Sequence, residues 1–131
     1  FATGAADALE LVETKGLQSA LASLTLLSDS RGSEAWAVWH RVAGLRFHDK
    51  TDTLIIPDPN VRVQAVIDGQ GVALNDSLVA QELRDRKLTR LSPHGLDDYG
   101  YHLIHETNAT DNGNVQCFID WILDEAAADR P

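Results

Sequence analysis

Two clusters of small polar residues each follow a short apolar run and precede a helical pattern. Ser28, Asp29 and Ser30 come after Thr25-Leu26-Leu27, and Pro57, Asp58 and Asn60 come after Leu54-Ile55-Ile56. Hydroxyls, an amide and carboxylates at such places, beside the free N–H groups of a helix N-terminus, suit a small anionic or amino-acid-like ligand. The same residue types also make turns and helix caps, so each cluster has a structural reading beside the chemical one. Tyr99 and Tyr101 share one face of a predicted strand, where they either close over a ligand or simply pack.

The other chemistry-bearing residues assemble into no reactive machine. His102 and His105 are three positions apart, which on a strand puts them on opposite faces, and no Asp or Glu joins them at ligand spacing. His48-Asp49 and the stretch from His94 to Asp98 lie in polar loops. A metal site is therefore not expected. No Gly-x-Ser-x-Gly elbow occurs, and neither a carboxylate pair nor a redox motif stands out. Neither a cofactor nor enzymatic activity is expected.

Ligand-binding residues need elements to position them. Phe1 to Thr14, rich in alanine, reads as a helix or a loose arm. Leu17 to Leu24 repeats apolar residues at helical spacing, and Thr25 to Ser28 is a short buried strand. Ser33 is placed to cap a helix through Ala43, with Trp36, Trp39 and Ala43 on one face and Gly44 as its stop. Arg46 to Asp52 is loop-like. Leu54 to Ile56 is a buried strand, Asn60 caps a helix to Asp68, and Gly71 to Leu74 is another strand. Asn75 or Asp76 caps a helix to about Arg86, and Leu88 to Leu91 is a further strand. Pro93-His94-Gly95 turns the chain into a longer alternating strand, Tyr99 to Glu106. Val115, Phe118, Ile119, Ile122 and Leu123 form the clearest amphipathic helix, and Cys117 within it reads as a small buried hydrophobe.

Short strands alternating with helices predict an α/β fold, a mostly parallel sheet flanked by helices, with ligands beyond the carboxyl ends of the strands. Leu54–Ile56 and Gly71–Leu74 are expected to be neighbours in it. The chain of 131 residues suits one domain. Its net charge of −9, from 20 acidic and 11 basic side chains, disfavours direct contact with nucleic acid. Arg84, Arg86 and Lys87 are the nearest thing to a basic cluster, and they end a helix whose dipole they complement. No run approaches the roughly 20 apolar residues of a membrane span. With no signal peptide and a single cysteine, a cytoplasmic location is expected. Asn108-Ala109-Thr110 matches a glycosylation pattern by chance. The first residue, Phe1, is expected to follow something longer.

Three stretches together resemble the effector-binding domain of LysR-type transcription regulators. Trp36-Ala37-Val38-Trp39 with Ala43-Gly44 is similar to the paired-tryptophan helix of the glycine-cleavage and β-lactamase regulator branch. Val63 to Leu74, with Asp68-Gly69-Gln70-Gly71 at its centre and Leu78-Val79 and Glu82-Leu83 beyond, is similar to the family's helix, Gly-x-Gly turn, strand and helix. Tyr101-His102-Leu103-Ile104, leading to Phe118-Ile119-Asp120-Trp121-Ile122, resembles its return strand and closing helix. The resemblance covers residues 16–126, with an arm or remnant at 1–15 and a tail at 127–131. It implies a periplasmic-binding-protein-like (type II) subdomain whose companion first subdomain is largely missing.

What the resemblance implies functionally is a module that senses a small effector such as an amino acid or a small anion. The effector-binding candidates are Ser28, Asp29, Ser30, Asp58, Asn60, Tyr99 and Tyr101. DNA would be reached only through a helix-turn-helix domain, which is absent from this stretch. Apolar surface left bare by the missing subdomain, including part of the Val115–Leu123 helix, predicts a homodimer. The alternative is a truncated half-module that self-associates and binds no effector.

Overall fold

Leu26 and Leu27 are adjacent, and on a strand adjacent side chains point to opposite faces. Each anchors a separate core. Leu26 packs with Ala2, Leu21, Trp36, Trp39 and Val72. Leu27 packs with Ala65, Val66, Ala73, Val79 and Leu88. A strand buried on both sides needs helices above and below it, and that requirement sets the architecture. The computed structural model describes residues 1–48, 53–97 and 99–128. It divides into two units, Phe1–Asp97 and Asp98–Pro131.

The first unit is a five-stranded sheet in the order β3-β2-β4-β1-β5. Its elements run β1 (Ala2–Gly4), α1 (Ala6–Lys15), α2 (Leu17–Ser23), β2 (Leu26–Ser28), α3 (Ala35–Val42), β3 (Leu54–Ile55), α4 (Pro59–Ile67) and β4 (Val72–Leu74). A 3-10 turn at Ser77–Val79, α5 (Ala80–Arg84) and β5 (Thr89–Arg90) complete it. β2 runs parallel to β3 (Leu27 opposite Leu54) and to β4 (Leu26 opposite Val72). β1 is antiparallel to both β4 and β5, so the sheet is mixed.

The expected α/β architecture is present, but its strand order differs from expectation. Leu54–Ile56 and Gly71–Leu74 are not neighbours, because β2 lies between β3 and β4. Crossover handedness explains the arrangement. Right-handed connections that step in opposite directions along a sheet leave their helices on opposite faces. Trp36 and Trp39 of α3 belong to one core, and Ala65 and Val66 of α4 to the other. β2 and β4, each with side chains in both cores, thus lie side by side inside the sheet.

The N-terminal stretch forms a helix, as expected, but a strand precedes it. Ala2-Thr3-Gly4 is buried and inserted between β4 and β5. Thr3 is stitched in place by donating its hydroxyl to the Ala73 carbonyl (3.4 Å) and accepting from Asn75 Nδ2 (2.8 Å). Asp58, rather than Asn60, caps α4: its Oδ1 accepts from the N–H groups of Asn60 (2.8 Å) and Val61 (3.1 Å), with Pro59 opening the helix. Asp76 caps the 3-10 turn through the Leu78 N–H (2.9 Å). The Arg46–Asp52 loop reading falls partly outside the described residues.

The second unit contains a 3-10 turn at Ala109–Asp111 and the long α6 (Gly113–Ala128). The helix was legible, but the strand expected at Tyr99–Glu106 is not formed among the described residues. Alternation alone makes no strand without a partner edge to supply the ladder of hydrogen bonds. Tyr101 and Ile104 are 76% and 89% exposed, so no buried face rewards the pattern. Cys117, expected to be buried, is exposed on α6, since Ile119 rather than Cys117 occupies its inner face.

Two glycines shape the entry to β4. Gly69 has φ of 75°, and a Cβ there would meet only the Asp7 carboxylate at an ordinary 3.8 Å, while Gly71 has φ of 154° and lies against the neighbouring strand. A Cβ on Gly71 would lie 2.3 Å from the Thr25 carbonyl oxygen and 2.6 Å from Leu27 Cδ1. Gly71→Ala is expected to destabilise the fold by at least about 2 kcal/mol through overpacking against backbone. Gly69→Ala is expected to cost about 1 kcal/mol, the left-handed penalty alone. Urea unfolding with unchanged m-values measures both, and equal losses would show that the close approach at Gly71 is immaterial.

Candidate functional site

Parallel strands end on the same edge of a sheet, so the carboxyl ends of β2 and β3 bring their following loops together. The Ile56 N–H donates to the Ser28 carbonyl (2.8 Å), extending that pairing to the last residue of β2. Ser28 is buried, and its hydroxyl donates to the Ser30 carbonyl (3.3 Å) and lies 3.5 Å from Asp29 Oδ1. The Ser30 hydroxyl donates to the same Asp29 oxygen (3.2 Å). A carboxylate ringed by two hydroxyls therefore stands at the end of β2.

Arg62, in the first turn of α4, reaches back toward this place. Its Nη1 donates to the carbonyls of Ile56 (2.6 Å) and Pro57 (3.3 Å). Burial works to raise the Asp29 carboxyl, but the hydroxyls of Ser30 and Ser33, a local backbone N–H and the Arg62 charge together hold it below the ordinary carboxylate range. Asp29 and Arg62 feel each other's charge without a direct ion pair. Among the described residues the close pair is Lys87 with Asp85, at 3.9 Å.

Behind the loop stands an aromatic buttress. Trp36 Nε1 donates to the Leu27 carbonyl (2.9 Å), one residue before Ser28. His40 Nδ1 lies 2.7 Å from the Trp36 carbonyl, an acceptor, so that nitrogen carries the proton. Trp36, Trp39 and His40 meet edge to face, with ring centres 5.4–5.8 Å apart. A buried indole N–H requires a partner, and this one fixes α3 to the end of β2.

The sequence candidates separate accordingly. Ser28, Asp29 and Ser30 come together, and Asp58 follows immediately on the adjoining strand, where its carboxylate caps α4. Asn60 lines an open groove of about 330 Å³ with Val63, Gln64, Ile67, Glu82 and Lys87. Tyr99 and Tyr101 belong to the second unit, where both are exposed. Arg62 escaped the sequence reading. Its partners are backbone carbonyls, which no residue type marks in a sequence.

Comparison with known proteins adds an independent line. The LysR substrate binding domain family matches residues 6–127. The chain is similar to the glycine cleavage system transcriptional activator of Escherichia coli strain K12, at 29% identity over 112 residues. That alignment covers 84% of this chain and 36% of the activator, so the chain spans about a third of the length of the curated relatives it matches. The fold is similar to the effector domain of the transcriptional regulator AmpR of Pseudomonas aeruginosa, with a TM-score of 0.71 at 20% identity, covering 98% of this chain and 61% of that one. It is also similar to the C-terminal domains of a LysR family protein from Agrobacterium tumefaciens strain C58, with a TM-score of 0.60 at 29% identity, covering 70% and 45%.

The Asp29 environment makes a pH prediction. A carboxyl held low contributes stability above its ordinary range and loses it as pH falls through the lowered value. Asp29 is exposed, so the contribution is small. Asp29→Asn is expected to flatten the fall in melting temperature between about pH 5 and pH 3. Parallel curves for the two proteins would show that the hydroxyls and Arg62 do nothing for the carboxylate.

Proposed function

The chain belongs to the LysR substrate binding domain family, and from that premise we propose that it senses a small effector at the carboxyl ends of β2 and β3. The observation that carries this reading is the convergence of Ser28, Asp29, Ser30 and Arg62 at the end of two parallel strands. Such ends are where open α/β sheets hold ligands, because polar loop groups collect there beside helix N-termini. An amino acid or a small anion suits the hydroxyls and charges present. The domain performs no chemistry on the effector. It reports the effector's presence to a DNA-binding part of a regulator, in the cytoplasm. The Trp36 indole, bonded to the Leu27 carbonyl, makes α3 the element that a shift at Ser28 displaces first.

A second reading, self-association without an effector, is favoured by the exposed side chains of Phe118, Trp121 and Leu123 on α6, each more than half accessible. A homodimer is compatible with both readings. A thermal-shift screen against amino acids and small organic acids separates them. A ligand at about 100 times its dissociation constant adds about 2.7 kcal/mol to stability. A true effector is thus expected to raise the melting temperature by several degrees at fixed protein concentration. A melting temperature that ignores every compound and rises only with protein concentration would replace sensing with self-association.

A further inference from the structure

The charge that an effector must carry is narrowed by Asp29 and Arg62. Arg62 uses Nη1 to hold the Ile56 and Pro57 carbonyls, which fixes the guanidinium beside the end of β3. Its Nη2 and Nε donate to no group among the described residues, leaving part of the donor fork unused. Asp29, anchored by the hydroxyl of Ser30, sets the opposite charge at the end of β2. Backbone pairing of Ile56 with Ser28 makes the two loops neighbours, yet the two charged groups do not close on each other as an ion pair. A bare anion meeting Arg62 is repelled by Asp29, and the chain's net charge of −9 adds to that repulsion. A bare cation meets the reverse conflict at Arg62. Only a group carrying both signs satisfies both partners.

We propose that the site selects zwitterions of the α-amino acid type, with the ligand carboxylate on the unused guanidinium nitrogens of Arg62 and its ammonium on Asp29. The Ser28 and Ser30 hydroxyls have committed their protons to the Ser30 carbonyl and to Asp29, so their oxygens offer acceptor lone pairs to the ligand ammonium. Arg62 gives a planar, forked match to a carboxylate that lysine would not reproduce. This inference rests on the sensing reading, and it adds to it a rule for which ligands are refused.

Calorimetric titration of the full chain tests it, using the twenty protein amino acids, each beside its deamino acid and its decarboxylated amine. The best amino acid is expected to bind at least about tenfold tighter than either analogue, a charge-assisted contact being lost in each case. Asp29→Asn is expected to bring the deamino acid within about threefold of the amino acid. Arg62→Gln is expected to abolish binding, while Arg62→Lys, which keeps the charge and guards against loss of the fold, retains part of it. Equal binding of amino acid and deamino acid, or a preference that survives Asp29→Asn, would overturn zwitterion selection. So would failure of every amino acid. In that last case, binding of a dicarboxylic acid or a sugar phosphate that Arg62→Gln removes would leave the sensing reading standing, and silence from these also would end both.

Discussion

At Gly71 the backbone comes so near the Thr25 carbonyl that the first carbon of any side chain would intrude on it. The next residue, Val72, donates its N–H to that same carbonyl at 2.9 Å, and the β2–β4 pairing runs on from there. Close approach and hydrogen bond are two aspects of one constraint. A parallel pair forms only when the chain leaving α4 can turn sharply and lie flush against β2, and a glycine at this point permits it. With β4 seated, Leu26 and Leu27 each face a buried core, and β2 is held between β4 and β3.

From β2 the edge where its loop meets that of β3 follows by short, identifiable links. β3 pairs with the far side of β2, and the Ile56–Ser28 bond carries the pairing to the end of the strand. The Trp36 indole holds α3 to Leu27, while the Asp58 cap and the Arg62 guanidinium hold the start of α4 to the end of β3. Asp58 thereby orients α4. Its carboxylate already occupies the N–H groups that an anion would otherwise seek there. The cation proposed to meet a ligand is then a side chain, Arg62, one turn further on.

Much of this was legible in the residues and some was not, for physical reasons. The Gly69-Gln70-Gly71 hinge, the paired tryptophans and the apolar runs before Asp29 and Asp58 declare themselves because each imposes a local chemical demand: a positive φ, a large apolar surface, a turn. Strand order makes no such local mark. That β2 separates β3 from β4 depends on crossover handedness and on which strand is apolar on both sides. Ala2-Thr3-Gly4 is too short to alternate, and its small side chains show no apolar pattern even though its backbone pairs with two strands. Tyr99 to Glu106 shows the converse failure, an alternation with no buried face behind it. Arg62 stayed hidden because its partners are carbonyls, which no residue type advertises.

The central claim is that the joined ends of β2 and β3 form the ligand-binding edge. Backbone amide NMR, recorded while the chain is titrated with amino acids and small carboxylic acids, tests it most directly. Saturable shifts concentrated at residues 28–33 and 56–62 are the predicted result. Saturable shifts confined instead to the groove of Val63, Gln64, Ile67, Glu82 and Lys87 would contradict it.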